Sequence, residues 1–364
     1  MIAKEIQDIL YLPEYYTDEY NATPMKNYWP FLRELVEIIN PKSVCEIGSE
    51  RGLTSQLLGQ VFKNIEKLHI VDPFINKELK ENKPDNMILH EEISLEFLKK
   101  ELEVELYLID GDHNYYTVKN ELLGVQKNRN NKQKTFILMH DVSWMWARRD
   151  MYYNADSIPD TNENKYNTSL NLENKENVKY GFPSADSYSI SIKDGGSKNG
   201  VLTAIEDFVK ESDLKWNFSY IPSLWGLGFL WLEDNFTEEE VIKINLILNK
   251  LDSLKEFFGI LEANRLRLLQ GLDEWKGLSE ERLISIKDIE RIKDELYKVA
   301  EQRLSDIQNI VKEKDELYEV AEQRLSDIQN IVKEKDELYE IAEYRLNIIN
   351  NLKKNIFIKW FIKE

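Results

Sequence analysis

The sequence predicts an α/β domain on a mostly parallel sheet that ends in an antiparallel hairpin, followed by a long helical segment. Three observations predict it. Short apolar runs alternate with helix-periodic stretches between residues 28 and 140, the pattern of parallel strands covered by helices on both faces. Two further apolar runs, 216–221 and 226–232, flank a turn at Pro222-Ser223 and read as a hairpin. The last third is rich in Glu, Lys, Leu and Ile with few turn residues, which reads as helix.

In order along the chain, residues 1–24 are a polar, tyrosine-rich extension. Residues 28–39 carry Phe31, Leu32, Leu35, Val36 and Ile39 at helical spacing, and Pro41 closes that helix. Strand 43–47, helix 54–62, strands 68–71 and 87–89, helix 95–102, strand 106–110, helix 115–125 and strand 135–140 follow. Residues 143–199 are polar and aperiodic, and so long a connection reads as a lid or insert. A helix over 200–210 leads into the hairpin. Beyond Asn235 the chain is helical, opening on the capping box at Thr237 and Glu240. Gly271 and Gly277 are expected to interrupt it, with a new helix from Ser279. The expected units are therefore the extension 1–24, the α/β domain 25–235 with its lid 143–199, a helical linker 236–278, a coiled coil 279–351 and a tail 352–364.

The coiled coil rests on a repeat. KDELYKVAEQRLSDIQNIVKE from Lys293 recurs almost unchanged from Lys314 and again from Lys335, a period of 21 residues or three heptads. With Tyr297, Leu304 and Val311 at a, the d positions are Ala300, Ile307 and Lys314, and the next copy repeats this through Tyr318, Leu325, Val332, Ala321, Ile328 and Lys335. Leu296, Ile310 and Leu317 widen the stripe. Such a stripe needs a partner, most simply identical copies in a homo-oligomer, the alternative being a helix packed back on its own domain. Lys314 and Lys335 at d would set register or oligomer number. Roughly seventy residues at ~1.5 Å each make a rod on the order of 100 Å.

Composition narrows the function. A chain of 364 residues exceeds one compact core. The net charge of −18 excludes general nucleic-acid binding, which needs clustered cations. The single Cys45 has no disulfide partner and reads as a buried structural thiol in a reducing, cytoplasmic setting. No leader and no apolar run of membrane-spanning length is visible.

Two motifs carry chemistry. Val44-Cys45-Glu46-Ile47-Gly48-Ser49-Glu50-Arg51-Gly52 is followed some twenty residues on by Leu68-His69-Ile70-Val71-Asp72. The glycines allow a sharp turn and close ligand approach, and Asp72 stands where a carboxylate accepts both ribose hydroxyls. The spacing E-x-G-x-x-x-G resembles motif I of the class I S-adenosylmethionine-dependent methyltransferases, with Glu50 where many members carry a glycine. That resemblance implies a Rossmann-like class I methyltransferase fold, with Glu46, Gly48, Ser49, Gly52, Asp72 and Asp110 around S-adenosylmethionine.

The second motif is Asp110-Gly111-Asp112-His113, with His140-Asp141 ending the next strand. I-D-G-D-H-x-Y with a later H-D-V resembles a group of class I enzymes that includes sugar and small-molecule O-methyltransferases, over about residues 25–235. Methyl transfer to a hydroxyl requires loss of its proton, and a neutral histidine with a pKa of about 6.5 suits that role. His113 is the candidate base beside Asp110, with a structural hydrogen bond as its alternative; for Asp110 the alternative is a helix N-cap. The resemblance further implies a divalent cation such as Mg²⁺ held by Asp110 and Asp141. His140 stands where an acidic residue is common, and hard cations prefer oxygen. His69 and His90 read as ordinary strand residues.

Trp144, Trp146, Arg148 and Arg149, after the fifth strand, are candidates to hold the acceptor, aromatic faces packing on sugar rings and guanidinium groups pairing with anions; a loop anchor is the alternative. In the tail 352–364, Lys353, Lys354, Lys359 and Lys363 interleave with Ile356, Phe357, Ile358, Trp360, Phe361 and Ile362. This suits either peripheral contact with an anionic membrane at its inner face or a cap on a bundle. The leading expectation is an O-methyltransferase acting on a sugar or glycan in surface polysaccharide biosynthesis. A coiled-coil scaffold or molecular ruler whose methyltransferase-like domain no longer turns over is the alternative from another class. An aminopropyl transferase on the same fold is a third, and the acidic pattern of that family is not evident.

Overall fold

The computed structural model describes residues 27–49, 52, 54, 58–59, 62–159, 161–162, 164–166, 170–173, 182 and 189–361. Two compact units divide the chain, Met1–Gly277 and Leu278–Glu364. The strands are β1 (Ser43–Ile47), β2 (Lys67–Val71), β3 (Met87–His90), β4 (Leu106–Ile109), β5 (Thr135–His140), β6 (Met151–Tyr152), β7 (Asn164–Tyr166), β8 (Ser189–Ser191), β9 (Asn217–Ile221) and β10 (Leu227–Leu232). The helices are α1 (Trp29–Ile39), α2 (Lys77–Asn82), α3 (Ser94–Phe97), α4 (Tyr115–Asn128), α5 (Val201–Glu211), α6 (Glu238–Ser253) and α7 (Lys255–Phe361).

The main sheet has the order β3-β2-β1-β4-β5-β10-β9. β1 to β5 pair in parallel, whereas β10 runs antiparallel to both β5 and β9. This is the Rossmann-like methyltransferase arrangement that the hairpin predicted. Because side chains alternate along a strand, each central strand feeds two cores. Leu106 and Leu108 of β4, Phe136 and Leu138 of β5, and Phe229 and Trp231 of β10 pack on one face with α1 and α6. Tyr107, Ile109, Ile137, Met139, Leu230 and Leu232 pack on the other with α4 and α5. Cys45 is buried and unpaired. The order reverses between β1 and β4, and at such a switch point the strand ends open a crevice for a ligand.

Three expectations change. The helix expected over 95–102 is one turn, α3, because Lys99 and Lys100 face solvent after Phe97 and Leu98 are buried. Residues 143–199 are not wholly irregular, since β6, β7 and β8 form a small antiparallel sheet. The helical segment breaks at Leu254, not at Gly271 or Gly277, both of which lie inside α7. An isolated glycine costs a helix about 1 kcal/mol, too little to stop a long one.

The helical segment 236–278 packs on the sheet. α6 starts on the Thr237–Glu240 capping box and buries Ile244, Ile247, Leu248 and Leu251 against the sheet. Each such side chain contributes about 1.5–3 kcal/mol by leaving water. Leu266 and Leu269 of α7 are buried as well.

The second unit consists of the remainder of α7. Its repeat shows in local contacts: Lys293, Lys314 and Lys335 sit over Tyr297, Tyr318 and Tyr339 at 5.9, 5.5 and 5.3 Å. These are i,i+4 pairs, worth a few tenths of a kcal/mol each. The seam residues Leu304, Ile307, Val311, Leu325, Ile328 and Val332 are between 47% and 58% exposed in the single chain. No helix among the described residues is long and apolar enough to cross a membrane. Residues 1–24, Glu50, Arg51, most of the helix expected over 54–62, and Ile362, Lys363 and Glu364 lie outside the described residues.

Candidate active site

The ends of β1, β2 and β4 enclose a cavity of about 480 Å³, within the range of small-molecule sites. Gly48, Asp72 and Asp110 line it, as do Phe74, Ile93, Ser94, Asp112 and Tyr153. Gly48 has φ +82°, and a Cβ there would stand 2.2 Å from the Asp110 carbonyl oxygen. The β1 turn therefore rests directly on the β4 turn, which only glycine permits. Ser49 donates to Asp72 Oδ2 from its backbone N–H at 2.9 Å, and Phe74 N–H donates to Oδ1 at 2.8 Å. These two contacts fix the Asp72 carboxylate at the cavity wall. Glu46 is buried within β1 and the Gly52 N–H donates to the Ser49 carbonyl; neither is among the described residues that line the cavity. Ile93 and Ser94 were not anticipated; their signal was that they follow β3 at the same sheet edge.

Beside this cavity stand two carboxylates and two imidazoles. α4 begins on Asn114, whose side chain accepts from Thr117 N–H at 2.8 Å, so the helix cap is Asn114 and not Asp110. Asp110 instead reaches His140 Nδ1 at 3.1 Å and His113 Nε2 at 3.6 Å. Asp141 Oδ2 lies 2.7 Å from His113 Nε2 and 3.0 Å from His140 Nδ1. Asp141 has φ +60°, a conformation aspartate tolerates better than most residues.

Burial works against charge on all four groups, but their mutual attraction wins. Burial would lower the pKa of His113, yet Asp141 and Asp110 raise it to about 10. The same balance holds His140 well above its ordinary value. Burial would raise the two carboxyls, yet the imidazolium charges hold Asp110 and Asp141 below the usual range. Facing two carboxylates with no cation between them, His113 favours its protonated form.

His140 Nε2 lies 2.9 Å from the Leu224 carbonyl oxygen, which only accepts, so Nε2 carries the hydrogen. A bare Nδ1 lone pair would then face two carboxylate oxygens, an arrangement that requires a cation between them. A proton satisfies it, and so does a metal. Asp110, His140 and Asp141 each offer a ligand atom, all within 4.8 Å of one another. Two carboxylates and an imidazole suit a divalent cation of intermediate hardness better than Mg²⁺ alone.

The loop after β5 divides its candidates. Trp144 stacks on Trp225 at 6.2 Å and meets Phe182 edge-on at 5.6 Å. It lines a groove of about 350 Å³ with Pro222, Glu262 and Arg267. Trp146 is buried with its ring parallel to His113. Arg148 clamps Glu206 through two hydrogen bonds of 2.6 and 2.7 Å. Arg149 is buried and donates to the carbonyls of Ser191 and Ile192, which makes it a loop anchor. Sequence reasoning missed Asp150, a buried hub accepting from the N–H groups of Tyr115 and Gly200 and from Tyr152 Oη and Asn162. It ties the lid to the starts of α4 and α5.

Residues 45–142 match a family described as a methyltransferase domain. No curated protein matches the chain. A Klebsiella pneumoniae structure provisionally described as an O-methyltransferase is 14% identical, covering 60% of this chain and 83% of its own, with a TM-score of 0.34. A Staphylococcus aureus structure provisionally described as a caffeoyl-CoA O-methyltransferase is 12% identical, covering 63% and 89%, at 0.35. The MycE methyltransferase, solved with Mg, SAH and mycinamycin VI, is 15% identical, covering 40% and 37%, at 0.28. Overlaps this low leave the argument to the family match and the strand order. On those two grounds, residues 45–142 match a methyltransferase-domain family within a sheet that has the strand order of the Rossmann-like methyltransferase fold.

Proposed function

We propose that the chain transfers a methyl group from S-adenosylmethionine to a hydroxyl oxygen of a sugar or glycan. The observation that carries this reading is the double position of Asp110, which lines the cofactor cavity and also belongs to the carboxylate–imidazole cluster. Bound S-adenosylmethionine supplies an electrophilic methyl on a sulfonium. Asp72 holds the ribose, and Gly48 lets the backbone come close. Asp110 and Asp141 orient the acceptor hydroxyl, and His113 takes its proton at Nε2, the nitrogen turned toward both carboxylates. With two carboxylates and two imidazolium groups the cluster has no spare base; Asp110, Asp141 and His140 would hold a divalent cation, whose two charges would stand in for both imidazolium protons and leave His113 free as the base. The reading thus includes a metal requirement.

Trp144 and the groove beside it suit a sugar face, while the carbohydrate class rests on that aromatic wall and the motif resemblance. The exposed seam of α7 supports self-assembly as a coiled coil. The basic aromatic tail extends the reading to peripheral contact with an anionic membrane, which cosedimentation with anionic vesicles would test. The deciding experiment incubates the full chain with methyl-labelled S-adenosylmethionine, a divalent cation and sugar-nucleotide or glycan fractions. Label on a carbohydrate oxygen supports the reading, whereas cofactor binding with no labelled product in any fraction favours the scaffold alternative.

A further inference from the structure

We propose that Glu262, near the start of α7, is a positioning residue for His140; the proposal rests on the methyl-transfer reading above. Glu262 is buried, and its carboxylate accepts four hydrogen bonds. Leu224 N–H donates to Oε2 at 2.8 Å and Trp225 N–H to Oε1 at 3.0 Å. Arg265 donates to the same two oxygens at 2.8 and 2.7 Å.

The turn so held would not keep its shape unaided. Leu224 and Trp225 have φ +49° and +69°, two successive left-handed residues that are not glycine, and Gly226 follows at +98°. Such a run persists only when its surroundings over-determine it. The Glu262 carboxylate does so by fixing both N–H groups at once, as an anion satisfies consecutive backbone donors.

The carbonyls of that turn point at the site. Leu224 O accepts from His140 Nε2 at 2.9 Å, and the neighbouring Ser223 O accepts from Tyr28 Oη. Trp225 O accepts from Ser143 N–H at 2.8 Å, two residues past Asp141. The path from Glu262 to the cluster is therefore two hydrogen bonds, through one peptide, to the ring that sits between Asp110 and Asp141. A buried carboxylate paired with arginine is seldom the most stabilising way to pack a helix on a turn. Its position here, at the turn whose carbonyl sets the His140 tautomer, is what a positioning role explains. The base of the long helix thereby becomes part of the floor of the active site.

The test is Glu262→Gln in the full-length chain, which keeps the shape but sets an amide NH₂ against one of the two backbone donors. With the acceptor found for the parent protein, kcat should fall on the order of 10²-fold, because small displacements of a catalytic group cost that much, while cofactor affinity stays within twofold. Histidine-selective ¹⁵N labelling resolves the four imidazoles, and the His140 ring N–H, assigned with His140→Gln, should lose its slow exchange. Leu251→Ala, in the core under α6, serves as the control; it should lower Tm at least as much yet keep kcat within a few-fold and leave the His140 resonance in place. Parental kcat in Glu262→Gln, or equal loss in Leu251→Ala, overturns the proposal. An unchanged His140 resonance overturns it even if no acceptor is found, so it fails separately from the methyl-transfer reading.

Discussion

Asp141 Oδ2 lies 2.7 Å from His113 Nε2, and the same oxygen lies 3.0 Å from His140 Nδ1. One carboxylate thus bridges two imidazoles from different strand ends. On the proposed reading, a divalent cation held by Asp110, Asp141 and His140 would supply the charge that otherwise keeps both rings protonated. Exhaustive chelation should therefore abolish methyl transfer, and adding back Mn²⁺ or Mg²⁺ should restore it. Activity that survives chelation would reduce Asp110 and Asp141 to acceptor-positioning groups.

His113→Ala should depress kcat by roughly 10²–10⁴-fold, the usual range for a lost general base, with cofactor affinity intact. His113 does not line the cofactor cavity, so binding and turnover separate. Calorimetry and initial rates on the same preparation make the comparison, and turnover equal to the parent's would remove His113 from the chemistry.

Asp72→Ala should weaken S-adenosylmethionine binding at least tenfold, since a charged hydrogen bond contributes about 1.5–3 kcal/mol. Ser49 N–H and Phe74 N–H already hold the carboxylate at the cavity wall, so little ordering is left to binding. An unchanged Kd by calorimetry would sink the ribose assignment.

Glu121 of α4 yields a pH prediction. Burial, the largest cause, and the charge of Asp112 push its carboxyl up to about 8, against the opposing pull of Ser94 and His113. Neither of its oxygens reaches hydrogen-bonding geometry with a partner. Below the unfolded value of 4.5 both states are protonated and the group contributes nothing. As pH rises from there to about 8, only the unfolded chain ionises, so the folded state loses stability across that window and levels off above it. Glu121→Gln lacks this penalty. Its Tm should exceed the parent's by roughly 5–10 °C near pH 8, with the advantage shrinking toward pH 4.5. A Tm difference independent of pH would show that Glu121 ionises freely in the folded chain.

The alternation of strands and helices, the closing hairpin and the placing of candidate residues at strand ends were legible because all are local. Gly48, Asp72, Asp110, His113 and Asp141 sit at the ends of apolar runs, and parallel pairing sends such ends to one edge of the sheet. What escaped notice depends on long-range partners. Asp150 and Glu262 are ordinary acidic residues until the fold brings backbone N–H groups from 50 and 38 residues away onto them. The closeness of His113 to Asp141 escaped for the same reason, as their spacing in sequence says nothing of 2.7 Å in space. The glycines of α7 misled by propensity alone, which a long cooperative helix overrides.

Where the domain ends is the last prediction, and it corrects the boundary expected at Asn235. A truncation there leaves the sheet closed by β10. It would in fact strip α6 from the core face that it shares with Phe136, Leu138 and Trp231, uncovering the counterparts of Ile244, Ile247, Leu248 and Leu251. At about 1.5–3 kcal/mol per buried side chain, that loss is comparable to the whole stability of an ordinary domain. It would also remove Glu262 from the Leu224–Trp225 turn. The chain cut after Asn235 should therefore be unfolded or aggregated. Met1–Gly277, one compact unit, should be a folded monomer that binds cofactor. The full chain, with Leu304, Ile307, Val311, Leu325, Ile328 and Val332 uncovered along α7, should assemble through that seam. Light scattering and circular dichroism on the three chains decide the matter. A folded 1–235 fragment would show that α6 is dispensable, and a monomeric full chain would show that the 21-residue repeat serves something other than self-assembly.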